Sequence, residues 1–198
     1  MNRLPATILT ALLALAGIAP AAVTGPAASA AAPGTATGRA DHVPGTVRTA
    51  AEHRDILSVR GAGPYRIGIR YDRLAAAGLI SWTADSCTGI RHAGATGVWA
   101  GAIILTFRDG RLVSVGTATA PPRSPAGASV GMPFAELERI YGPRGAMIRN
   151  DAGDAEAYLV RVGSRVELFT DHPIRPGVGY YEAGLASHVE RGFRQGPC

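Results

Sequence analysis

Lysine is absent from this 198-residue chain, so all 20 basic side chains are arginines, set against 15 acidic ones. The arginines are scattered, and aromatic residues make up only 6% of the chain. A groove that tracks a phosphate backbone needs basic and aromatic side chains interleaved, so nucleic acid is excluded as a partner. Cysteine occurs twice, at Cys87 and Cys198, and nowhere before Cys87. A lipid-anchor cysteine at the end of a leader is therefore excluded. No apolar run is long enough to span a bilayer, the longest reaching from about Ile8 to Ala19. Paired Cys/His spacings, a Walker loop and a Gly-rich dinucleotide fingerprint are missing as well. No metal and no cofactor is expected.

What is present begins with a leader. Arg3 supplies a basic start, the Ile8–Ala19 run follows, and Ala28-Ser29-Ala30 fits a small-residue cleavage site. Residues 1–30 thus read as a signal peptide, and the product is expected to be secreted with no stable membrane anchor. Residues 31–60 are rich in Ala, Gly, Pro and Thr and read as a disordered linker. In an exported chain an even cysteine count implies a disulfide, and two cysteines allow one internal pairing, Cys87 with Cys198. Closing a loop of that length is worth roughly 4–5 kcal/mol in the chain-entropy description.

Residues 127–142 read GASVGMPFAELERIYG and open on a G-x-S-x-G pattern, that of a hydrolase nucleophile elbow. The same stretch also aligns with residues 67–79, IGIRYDRLAAAGL. Gly68 matches Gly131, Tyr71 matches Phe134, and Leu74 matches Leu137. In each copy the glycine allows a sharp turn into a short helix, whose apolar stripe follows at helical spacing. Downstream, Asp109-Gly110 and Gly163-Ser164 each sit between β-rich runs, the signals of type I′ and type II′ hairpin turns. A further strand is expected over Val178–Ala183, and residues after 185 read as irregular. The expected fold is α+β: two tandem helix–β-hairpin repeats, each with a small antiparallel sheet, packed together. Repeat 1 spans 61–117, a Pro-rich connector 118–127, and repeat 2 with the C-terminal tail 128–198.

This repeated unit resembles that of exported proteins of high-GC Gram-positive bacteria. Those carry a signal peptide, two such units, and cysteines after the first helix and at the C-terminus. It is also similar to the helix-plus-sheet unit of the secreted β-lactamase inhibitory protein and of small outer-membrane assembly lipoproteins. The repeat, the export signal and the lack of a complete catalytic set point to a secreted protein that acts by binding, and the likeness to the inhibitory protein implies inhibition of an extracellular hydrolase as one version.

Under the repeat alignment Ser129 falls opposite Arg66 and only the Gly131 column persists, so no catalytic residue is assigned. The alternative is an extracellular serine hydrolase using Ser129 with His172 or His188. The acidic loop 150–156 offers oxygen ligands that suit calcium, without the spacing of an EF-hand. Pairing about the two turns places Tyr158, Val160, Arg165, Glu167 and Phe169 on one outward face. Thr106, Arg108 and Arg111, together with Ile104, Val113 and Val115, fall on another. Mixed aromatic, aliphatic and charged faces suit interfaces, so these residues and Trp82 form the expected binding face. The partner is an extracellular protein or a small ligand.

Overall fold

The structure is a computed structural model that describes residues 55–196. Turn chemistry sets its hairpins. Asp109 and Gly110 both take positive φ, 49° and 72°, as a type I′ turn requires, and join β6 (Ile104–Arg108) to β7 (Arg111–Thr117). Gly163, at φ 62°, turns β9 (Glu156–Val162) into β10 (Arg165–His172). With β4 (Ile80–Cys87), β5 (Ile90–Ala95), β8 (Gly145–Arg149) and β11 (Arg175–Leu185), these form one eight-stranded antiparallel sheet. Its order is β4-β5-β6-β7-β11-β10-β9-β8, so two meanders run inward from the edges and meet where β7 pairs with β11. A three-stranded sheet of β1 (Leu57–Ser58), β2 (Gly61–Ala62) and β3 (Tyr65–Arg66) lies apart from it. Three α-helices, α1 (Tyr71–Ala76), α2 (Phe134–Tyr141) and α3 (Ala186–Gln195), and two short 3-10 turns, Gly97–Trp99 and Gly142–Arg144, complete the described residues.

This architecture overturns the expected α+β fold of two packed helix–hairpin repeats. The described residues are mostly β, and their hairpins are consecutive parts of a single sheet rather than separate sheets packed on each other. Strands β4, β5 and β8 had no counterpart in the sequence reading, and α3 replaces an expected irregular tail. The expected linker also ends too late. Leu57 is fully buried, and its carbonyl accepts the Tyr181 hydroxyl at 2.8 Å. The Pro-rich connector is likewise pinned, with Ser124 buried and its hydroxyl hydrogen-bonded to that of Tyr141 at 2.7 Å. The signal-peptide residues 1–30 and Cys198 lie outside the described residues. Cys87 ends β4, and its pairing with Cys198 stays an expectation.

One face of the large sheet carries the main core. Leu105, Phe107, Val115, Phe169 and Tyr181 point into it, beneath Leu74 of α1, Leu137 of α2 and Tyr65 of the small sheet. Each such side chain contributes about 1.5–3 kcal/mol by leaving water. Phe169 and Tyr181 stack with centroids 4.4 Å apart, and Tyr71 meets Phe107 edge-on at 5.3 Å. Gly68 and Gly131 lead into α1 and α2 with φ of 93° and 89°. Each donates its N–H to a central strand, Gly68 to Leu112 of β7 at 2.7 Å and Gly131 to Val178 of β11 at 2.8 Å. The opposite face has a smaller cluster, in which Val189 and Phe193 of α3 meet Leu159, Val166 and Leu168.

The β7–β11 seam depends on close backbone approach. Between Thr106–Ser114 and Phe107–Leu112 the register slips, so Val113 is an extra, bulged residue. Gly184 pairs with Ser114 across the seam, and a Cβ there would lie 2.2 Å from the Val113 carbonyl oxygen. That oxygen belongs to backbone and cannot yield without parting the strands. Gly184→Ala is expected to cost on the order of 3 kcal/mol. A urea midpoint followed by circular dichroism checks this, and an unchanged midpoint contradicts it.

Candidate functional site

The second sheet face is covered over part of its width only. Helix α3 is held at both ends by the β8–β10 side: the Ala186 N–H donates to the Ser164 carbonyl, and the Arg194 carbonyl accepts the Asp151 N–H, each at 3.0 Å. Its Ala186, Val189 and Phe193 recur along one stripe and pack on that side, while Glu190 pairs with Arg161 at 2.6 Å. Strands β4–β6 receive no such cover. The result is an open cleft of 570 Å³ between α3 and the uncovered strands, with β11 and β10 in its floor.

Register explains what lines it. Ala84, His92 and Thr106 follow one another across β4, β5 and β6, and Ser114 of β7 continues the row. The next row runs Gly94, Ile104, Gly116 and Glu182 from β5 to β11. Its two glycines are covered by rings. A Cβ on Gly94 would lie 2.1 Å from the Trp82 indole nitrogen, and one on Gly116 would lie 2.0 Å from the Tyr180 hydroxyl. Trp82 and Tyr180 therefore lie down on the sheet where no side chain lifts them, and both line the cleft.

The polar groups inside are few. Ser114 donates its hydroxyl proton to one oxygen of Glu182 at 2.5 Å. Burial raises the Glu182 carboxyl above its ordinary value, and the Ser114 bond offsets part of that rise. Burial also raises the Tyr180 hydroxyl, with the nearby Glu182 charge adding to it. His188 of α3 is pushed down to about 4 by burial, then by Arg108, Arg191 and His92, so it is neutral at pH 7. The His92 ring lies 3.1 Å from the Ser86 hydroxyl and 3.3 Å from that of Thr106. This file of hydroxyl, imidazole and hydroxyl has no carboxylate to stabilise an imidazolium, so it is not a nucleophile–base–acid set.

Only three of the residues expected to form the binding face, Ile104, Thr106 and Trp82, line this cleft. Tyr158, Val160, Glu167 and Phe169 are buried in the α2-covered core, which corrects their outward assignment. Glu167 there accepts the Tyr141 hydroxyl at 2.6 Å. Arg165 donates to the Val59 carbonyl at 3.0 Å and Arg111 to the Gly68 carbonyl at 3.2 Å, while Arg108 acts on His188 from the neighbourhood of the cleft. The bulge at Val113 carries Val115 to the core side, away from Thr106.

Ser129 lies on the loop into α2, bridged to Arg123, and hydrogen-bonds to neither histidine. His172 instead accepts the Ile174 N–H at 3.2 Å and contacts Arg175 at 3.1 Å. The hydrolase alternative thus has no assembled set among the described residues. In loop 150–156 the Asn150 side chain binds Asp154 at 2.7 Å and takes the Asp154 and Ala155 N–H groups, closing the loop on itself. Among the described residues no group of three or more His, Cys, Asp or Glu is arranged to hold a metal. The sequence reading missed Glu182 and Tyr180. Their signal was a glutamate in step with a tyrosine along an otherwise apolar strand.

No family model matches the chain, and no curated protein matches it. Solved structures similar to this chain include two from Gram-positive bacteria. One is an extracellular protein containing an SCP domain from Bacillus anthracis, at 12% identity and TM-score 0.43, covering 81% of this chain and 52% of that one. The other is a cysteine-rich secretory protein from Staphylococcus aureus, at 13% identity and TM-score 0.40, covering 70% of this chain and 50% of that one. The chain spans about half the length of these two proteins.

The depressed His188 has a consequence for stability. Between pH 6.5 and about 4 the unfolded chain takes up a proton at His188 while the folded chain does not. Stability from this group is present above 6.5 and is lost as pH falls toward 4. His188→Gln should therefore lose less stability than the natural chain over that range, as read by urea melts at several pH values. Parallel pH curves for the two proteins contradict the assignment.

Proposed function

We propose that this is a secreted binding protein which holds a small, largely apolar ligand in the cleft between α3 and strands β4–β6. The observation that carries this reading is the cleft itself, 570 Å³ in volume and walled by Ile90, Ile104, Leu168, Val189 and Phe193 with only a few polar groups between them. Small-molecule sites commonly have about 300–1,000 Å³, apolar walls and a few placed polar groups. Trp82 is 48% exposed, a large apolar surface left open at the cleft. In this reading, Trp82 and Tyr180 give flat contact area, while Thr106, Glu182 and His188 orient the ligand.

A small ligand is favoured over a protein surface as the partner. Tyr158, Val160 and Phe169, which an inhibitor would have presented to its enzyme, are buried. Export of the protein rests on the leader sequence, residues 1–30, and agrees with a ligand met outside the cell.

N-phenyl-1-naphthylamine, a neutral apolar fluorophore, tests the reading. Saturable 1:1 fluorescence enhancement is expected, with a Kd in about the micromolar range. Gly192→Leu, which puts bulk on the cleft side of α3, should weaken it about tenfold or more. Absence of saturable binding, or binding indifferent to that substitution, contradicts the proposal.

A further inference from the structure

Two glutamates on opposite faces of the sheet, the buried Glu167 and the half-buried Glu182, are held differently. Glu167, on the core face, accepts the Tyr141 hydroxyl at 2.6 Å, which offsets part of the rise that burial gives its carboxyl. Glu182, on the cleft face, has one partner, Ser114. No hydrogen bond among the described residues engages its second oxygen. No fully buried side-chain oxygen in those residues lacks a partner, so this second oxygen is open to the cleft. No ion pair there involves Glu182. The arginines that act on His188, Arg108 and Arg191, are not among the groups that act on Glu182.

A carboxyl placed in an apolar cleft without a cation gains most from a ligand that brings one. Aromatic faces reinforce the same preference, because a cation near a ring is attracted by its quadrupole. Three aromatic side chains, Trp82, Tyr180 and Phe193, line the cleft together with Glu182. The volume leaves room for an apolar stem beside the charged head, with Ile104 and Leu168 to receive it. Resting on the binding-protein reading above, we propose that the ligand is a small organic cation, an ammonium group on an apolar body, with Glu182 as its counter-ion in the cleft floor.

Displacement of N-phenyl-1-naphthylamine at pH 8 by n-octyltrimethylammonium and by 1-octanol separates charge from apolar contact. The ammonium compound is expected to displace the probe at a concentration about tenfold lower than the alcohol. In Glu182→Gln the ratio of the two displacing concentrations should fall to about one. Equal potency of the two compounds in the natural chain overturns the proposal without any variant, as does a preference that survives Glu182→Gln. A lysine-bearing peptide that displaces the probe better than the ammonium compound overturns the small-molecule assignment. Failure of the probe to bind at all falls on the cleft reading instead, so the two failures are distinguishable.

Discussion

The pairing of β7 with β11 is the constraint on which the rest of the structure depends. Without it the chain would hold two four-stranded meanders, each with an exposed edge and half a core. With it, Val115 and Ala183 pair across the seam on the core face, and Gly116 pairs with Glu182 on the cleft face. The seam closes because two of its residues are glycines. Gly184 admits the bulged Val113 carbonyl, and Gly116 leaves room for the Tyr180 ring. One backbone arrangement thus joins the sheet and sets a carboxyl in the middle of its second face.

That second face gains its character from unequal cover. The core face is buried by α1, α2 and the small sheet, so its polar groups are closed into hydrogen bonds, as at Tyr141, Ser124 and Glu167. On the other face only α3 is present, and both of its ends are bonded on the β8–β10 side. The strands beyond its reach keep Trp82, His92 and Thr106 at an open cleft. A sheet that buries one side completely and the other by half can spend the free half on recognition, since stability is already supplied by the first.

Local turn chemistry was the most legible part of the sequence. Asp109-Gly110 and Gly163-Ser164 both form the expected hairpins, and Tyr158–Phe169, Val160–Glu167 and Val162–Arg165 pair as the two-residue turn dictates. Which face turned inward was not legible. Helices cover both faces of β9–β10, so Leu159 and Tyr158 are both buried and alternation carries no inside or outside. The Val113 bulge was hidden too, because a single extra residue leaves no mark in composition, yet it moves Val115 to the other side. Strands β4 and β5 are rich in Ser, Thr, Gly and Ala and read as a loop; pairing of β4 with β5 and of β5 with β6 overrides weak propensity. Helix α3 has its apolar stripe in Ala186, Val189 and Phe193, but three positions in a Gly- and Arg-containing tail fell short of a helix signal. The site followed from these misses, since its walls come from β4, β5 and α3.

The claim that recognition occurs on the half-covered face is tested most directly by mapping amide chemical shifts during titration with n-octyltrimethylammonium. The account predicts changes concentrated in β4–β6, in β11 around Tyr180 and Glu182, and along α3 from His188 to Phe193. Changes centred on α1, α2 or the small three-stranded sheet, or no saturable change anywhere, would contradict it.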